Sequence, residues 1–120
     1  MLVLIVDDDL GSLMGMEEAV KTMGHTVDAF SSPKKAMEKI RFSHYDAALI
    51  DFYMPEISGI QLAADIIRDN PDMKVILVSG YADRANLSLV LESIGPNVTF
   101  EHKPLDFNVL RKILSELAVS

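Results

Sequence analysis

The sequence predicts an α/β domain, a three-layer sandwich with a parallel five-stranded sheet between two helical layers. Three observations carry that prediction. Five short runs of branched apolar residues recur down the chain, and segments of helical period alternate with them. Three of the runs lack polar alternation, the pattern of parallel strands buried on both faces. A chain of 120 residues fits one domain, expected from Met1 to about Ser120, with no linker, repeat or low-complexity tract. Right-handed crossovers then place helices on both sides of the sheet.

The first strand is Leu2–Val6. Leu13, Met16, Val20 and Met23 follow at helical steps, and Gly24 suits the residue beyond a helix end. Thr26–Phe30 carries Asp28 and reads as an edge strand. Ser32-Pro33 supplies a cap and a first-position proline to a helix with Ala36, Met37 and Ile40 turned inward. Ala47–Ile50 is the third strand. Ser58-Gly59-Ile60-Gln61 has the spacing of a capping box, and its helix stops before Asn70-Pro71. Val75–Val78 is the fourth strand; Leu87, Val90, Leu91 and Ile94 mark a fourth helix closed by Gly95-Pro96. After the fifth strand, Val98–Phe100, Asp106 caps a last helix with an inner stripe of Leu110, Ile113, Leu114 and Leu117.

Composition removes several functions. Eleven basic residues against 18 acidic ones give a net charge of −7, which disfavours direct nucleic-acid binding. The absence of cysteine excludes disulfides, thiolate zinc sites and cysteine nucleophiles. No apolar run, that of Leu2–Val6 included, approaches the roughly 20 residues of a membrane span, and no signal-peptide pattern opens the chain. A cytoplasmic domain without membrane association is the expectation.

Ligands of open parallel sheets collect beyond the carboxyl ends of the strands. Asp7, Asp8 and Asp9 follow the first strand, Asp51 the third, Ser79 the fourth and Lys103 the fifth. Singly, each has a plain reading: Asp9 caps the first helix, Ser79 is a turn hydroxyl, Lys103 a solvated charge before Pro104. Together they make a crevice of converging carboxylates, which either holds protons at raised pKa or binds a hard cation. Oxygen-only ligands favour magnesium over zinc. A lysine ammonium and a serine hydroxyl suit phosphoryl oxygens, and one carboxylate then serves as nucleophile in forming an aspartyl phosphate.

These residues resemble the receiver domain of bacterial two-component response regulators. The likeness rests on Val6-Asp7-Asp8, on Leu49-Ile50-Asp51-Phe52-Tyr53-Met54-Pro55 with Ser58-Gly59 beyond, on Val78-Ser79-Gly80, and on Lys103-Pro104. The resemblance implies a flavodoxin-like (βα)5 sandwich with strand order 2-1-3-4-5. It implies Asp51 as phosphoacceptor for a sensor histidine kinase or a histidine phosphotransfer protein. It implies Mg2+ held by Asp7, Asp8, Asp51 and the backbone carbonyl of Tyr53. Ser79 and Lys103 match the groups that receive the phosphoryl oxygens, Gly80 leaves the phosphate path open, and Pro104 matches a proline that aims Lys103 at the site. Phe100 stands at the aromatic switch position, where phenylalanine keeps the bulk of the usual tyrosine without its hydroxyl. Phosphorylation is then expected to bias a two-state equilibrium on the face of the fourth helix, fifth strand and fifth helix, toward an output domain or a homodimer. Such a domain is a signalling phosphoacceptor that modifies itself, not a turnover enzyme.

Tyr53 and Tyr81 stand at the mouth of such a site. Their rings either obstruct the water that hydrolyses the acyl phosphate or simply lie on loops. His25, His44 and His102 share no ligand spacing, the methionines mostly fall at core spacing, and Glu17 reads as solvated. Rival readings are a haloacid-dehalogenase-type phosphohydrolase using Asp7-Asp8-Asp9, and an unphosphorylated pseudo-receiver. Gly11 and the short chain count against the first, and the presence of Asp8, Asp51, Ser79 and Lys103 against the second. A triply acidic loop would repel a flavin phosphate.

Overall fold

The computed structural model describes residues 1–52, 54, 57–79, 94–103 and 105–118. In chain order these contain β1 (Leu2–Val6), α1 (Leu10–Thr22), β2 (Thr26–Phe30), α2 (Pro33–Ile40), β3 (Ala47–Asp51), α3 (Gly59–Asp69), β4 (Lys74–Ser79), β5 (Val98–His102) and α4 (Phe107–Ala118). The five strands form one parallel sheet in the order β2-β1-β3-β4-β5, so the flavodoxin-like expectation holds. The helix predicted over Leu87, Val90 and Leu91 lies outside the described residues, as do Tyr53, Gly80, Tyr81 and Pro104.

Side-chain polarity locates the strands but not their ends. Periodicity predicts Leu2–Val6 and Thr26–Phe30, and both match. The other three run further, because pairing of backbone groups continues past the apolar residues. Asp51 pairs with Val78 and Ser79 with His102. The two polar residues of greatest interest therefore sit inside the ladder, with the rigidity of the sheet behind them. Only Val27 of β2 is buried, in keeping with its place at the edge.

Helix starts follow capping chemistry. Asp9, Ser32 and Ser58 each accept a backbone N–H with a side-chain oxygen, as does Asp106 before α4. The capping box at Ser58 is only half made. Ser58 Oγ accepts from Gln61 N at 3.2 Å, but the Gln61 amide donates to Asp65 Oδ1 at 3.0 Å, one turn on, instead of reaching back. An i,i+4 partner on the same helix face competes successfully for it. Gly24, at φ +95°, takes the left-handed conformation beyond α1.

The sheet splits the core in two. Leu4, Val6, Ile50 and Leu77 face α2 and α3, packing on Ala36, Ile40, Leu62 and Ile66. Val3, Ile5, Leu49 and Val78 face α1 and α4, packing on Leu13, Met16, Val20, Leu110 and Leu114. Met16 and Met73 are core residues, whereas Met14 is exposed.

Tyr45 joins the first of these layers in a way that spacing does not predict. Its ring is fully buried, and its hydroxyl donates to Asp28 Oδ2 at 2.6 Å, tying the segment before β3 to the edge strand. Tyr45→Phe is expected to cost about 1–2 kcal/mol of stability at pH 7, read by urea denaturation. Burial, and then the bond to and charge of Asp28, hold this phenol protonated well above its ordinary 10.0. The unfolded chain ionises first, so the stability gained is complete below about pH 10 and is lost as pH rises beyond it. In Tyr45→Phe that part of the alkaline loss should vanish.

Candidate functional site

Four strand ends deliver the site. Asp7 directly follows β1, and its N–H donates to Phe30 O at 3.1 Å, extending the β1–β2 pairing by one residue. Asp51 is the last residue of β3. Lys103 follows β5, with its N–H on Ser79 O at 2.8 Å, so β4 and β5 stay paired up to the lysine. Ser79, at the end of β4, is fully buried.

Lys103 Nζ stands 3.1 Å from Asp51 Oδ1 and 3.5 Å from Asp7 Oδ2. Asp7 is fully buried and Asp51 nearly so, whereas Asp8 is exposed at the rim. One carboxylate oxygen from each of Asp7, Asp8 and Asp51 lies within 4.8 Å of the others. Such an oxygen-only set fits a hard divalent cation such as magnesium and does not suit zinc. Asp9 takes no part. Its Oδ1 accepts from Gly11 N at 3.1 Å and its Oδ2 from Ser12 Oγ at 3.2 Å, which is the cap role.

Electrostatics follow from burial against pairing. Burial pushes the Asp7 carboxyl above its ordinary value and the Asp51 charge adds to the push, while the Asp9 amide, 2.9 Å from Oδ1, and the Lys103 ammonium oppose it. For Lys103, burial alone would lower the pKa. Its bond to Asp51 and the charges of Asp7 and Asp51 together outweigh burial and hold it above the ordinary lysine value. The site therefore holds a firmly charged ammonium between Asp7 and Asp51.

Two neighbours escape sequence reasoning. Gly59 N donates to Phe52 O at 2.8 Å, and a Cβ on Gly59 would collide with the Asp51 carbonyl oxygen and stand 2.8 Å from Phe52 Cα. Only glycine lets α3 start this close to the end of β3. The second is Phe52, whose N–H donates to Val78 O at 2.8 Å and whose ring meets Phe100 edge to face, with centroids 6.3 Å apart. Phe100 also packs edge to face on the His102 ring at 5.2 Å, which gives that histidine a packing contact. For Phe52 the signals were an apolar residue directly after an acidic strand end and its place in the Leu49–Pro55 stretch of the family likeness. Gly59 had its place after a capping serine and in the Ser58-Gly59 pair of the family likeness, and neither signals the close approach to β3.

The sheet order makes this a flavodoxin-like α/β domain with an acidic crevice at its strand ends. The chain belongs to the response regulator receiver domain family, whose model matches residues 3–115; it is a receiver domain of two-component signalling. Among curated relatives, it is 30% identical over 114 residues to the transcriptional regulatory protein ZraR of Klebsiella oxytoca, covering 95% of this chain and 25% of that protein. The chain thus spans about a quarter of that relative's length. A CheY-like response regulator receiver domain protein from Methanospirillum hungatei JF-1 superposes with a TM-score of 0.86 at 29% identity, over 98% of this chain and 93% of that one. The response regulator TrrA of Thermotoga maritima, solved in complex with Mg(2+)-BeF, gives 0.82 at 26% identity over 97% of each chain. No helix among the described residues is long and apolar enough to cross a membrane.

Proposed function

We propose that Asp51 accepts a phosphoryl group from the phosphohistidine of a sensor histidine kinase or histidine phosphotransfer protein, and that this modification switches the domain. The observation that carries it is the Lys103 ammonium bridging Asp51 and Asp7 in the acidic crevice. A carboxylate oxygen of Asp51 attacks phosphorus and the P–N bond to the donor imidazole breaks. The bonding pair stays on the imidazole nitrogen, which takes a proton and leaves as neutral histidine. Lys103 then turns its ammonium from carboxylate to phosphoryl oxygen, and the Ser79 hydroxyl donates to another. Magnesium held by Asp7, Asp8, Asp51 and the Tyr53 carbonyl would supply the positive charge that offsets the phosphoryl oxygens during transfer.

Asp51 is better placed as nucleophile than Asp7. Asp7 Oδ1 accepts from the Asp9 amide and Oδ2 faces Lys103, with no surface exposed, which weighs against the phosphohydrolase reading. The chemistry is self-directed, and the output is conformational: the Phe100 ring, edge to face with Phe52 next to the acceptor, follows Ser79 toward the phosphate. The face around β5 and α4 then changes toward an output domain or a second copy.

Intact-protein mass after incubation with Mg2+ and a small-molecule phosphodonor tests this. One added phosphoryl group is expected, absent with chelator and absent in Asp51→Asn. Uptake that persists in Asp51→Asn would overturn the assignment.

A further inference from the structure

The segment from Pro33 to His44 departs from the rest of the chain in charge. It holds Lys34, Lys35, Lys39 and Arg41 against Glu38 alone, a net of +3 inside a chain of −7, which leaves −10 elsewhere. All four cations are exposed on or just after α2. None forms an ion pair with a described residue, although acids outnumber bases.

Local physics works against this arrangement. Lys34 and Lys35 occupy the first turn of α2, where the helix dipole disfavours positive charge, and no acidic residue shares that turn. Lys35 and Lys39 are four apart on one helix, a repulsive spacing for like charges. Lys39 in the last turn suits the dipole and Glu38 lies four residues from Lys34, but no ion pair with a described residue holds any of the four cations. Beside them runs a shallow groove of about 450 Å³ with an apolar floor of Pro33, Met37 and Ile57 and with Lys34, Glu38 and Arg41 at its rims. Phe42, 86% exposed, stands at the end of α2.

We infer that this face of α2 docks an acidic, amphipathic segment of a partner protein, its carboxylates on the four cations and its apolar side chains on Met37, Ile57 and Phe42. A second copy of this chain fits less well. A symmetric contact would set two basic faces against each other, and a basic-to-acidic contact between copies would not close. Nucleic acid and anionic lipid are extended arrays of negative charge that meet the −10 of the remaining surface, whereas a short peptide presents its charge locally. The surface does not involve Asp51, so it stands or falls apart from phosphoryl chemistry.

The probe is a short synthetic helical peptide with Glu on its polar face and Leu on the other, titrated into the full chain and followed by amide NMR shifts. Lys-for-Glu peptide, single-stranded DNA and phosphatidylglycerol vesicles are run alongside. Saturable shifts confined to α2, Phe42 and Ile57 are expected. Weakening of at least about tenfold in a Lys35→Glu, Lys39→Glu variant is expected too, with a smaller loss in Phe42→Ala. Both variants should take up phosphoryl groups as the parent does, which shows that they fold. No saturable binding, shifts elsewhere, undiminished binding by the charge-reversed variant, or tighter binding of DNA or vesicles at α2 would each overturn the proposal. So would self-association through α2 in sedimentation of the protein alone.

Discussion

Gly59→Ala is expected to be among the most damaging single-methyl changes in this domain. The added Cβ meets backbone, at the Asp51 carbonyl oxygen and the Phe52 Cα, and backbone held in a sheet cannot swing aside as a side chain tip can. Relief requires α3 to move away from β3 or the end of β3 to bend, at about 1–3 kcal/mol or more, a large part of the roughly 5–15 kcal/mol that stabilises a typical domain. Either movement displaces Asp51, so phosphoryl uptake should fall along with the urea midpoint. Gly15→Ala is the control. A Cβ there meets nothing within 4 Å, and alanine in mid-helix is expected to raise stability by about 0.5–1 kcal/mol. A Gly59→Ala protein as stable as the parent would mean that α3 and β3 yield to each other without cost.

Lys103→Met is expected to have the other large effect. It keeps most of the side-chain volume and removes the one cation within 4 Å of Asp7 and Asp51 among the described residues. Two buried carboxylates are left facing each other, at a cost of about 1–3 kcal/mol at pH 7, less than for a wholly enclosed pair because the ammonium keeps some contact with solvent. Without Lys103, burial and the Asp51 charge raise the Asp7 pKa further above its unfolded value. A carboxyl raised in the folded state makes the native protein bind more protons than the unfolded chain between the two pKa values. Stability then falls as pH rises through that window and returns as pH drops. The deficit of Lys103→Met should therefore shrink on acidification, and at the alkaline end the parent's gain from Lys103 is lost as pH rises through the folded lysine pKa, above 10.5. Phosphoryl uptake should slow by about a hundredfold, the scale of losing one preorganised donor to a developing charge. Urea titrations across pH and timed phosphorylation measure both, and a pH-independent deficit would contradict the electrostatic cause.

What could be read without coordinates divides by physical range. Strands and caps depend on neighbours a few residues away, so Leu2–Val6, Thr26–Phe30 and the caps at Asp9, Ser32, Ser58 and Asp106 were legible. Strand ends at Asp51, Ser79 and His102 were not, because they depend on a partner strand's backbone. Sheet order came only through family likeness, since periodicity says which faces are apolar and not which strands adjoin. Asp7, Asp8, Asp51 and Lys103 were legible as a group because parallel topology gathers strand ends. The needs of Gly59 arise from one collision, and the Tyr45–Asp28 bond spans 17 positions; neither leaves a local pattern. The basic face of α2 was hidden inside a net negative charge, and became visible only when exposure and the lack of described ion partners were set beside composition.

The most direct test of the phosphoacceptor assignment is to locate the modified residue. Borohydride reduction of the phosphorylated protein converts an aspartyl phosphate to homoserine, which peptide mass spectrometry places in the chain. Homoserine at position 51 alone is the predicted result. Homoserine at position 7 or 8, or a phosphoryl group that borohydride does not remove, would contradict it.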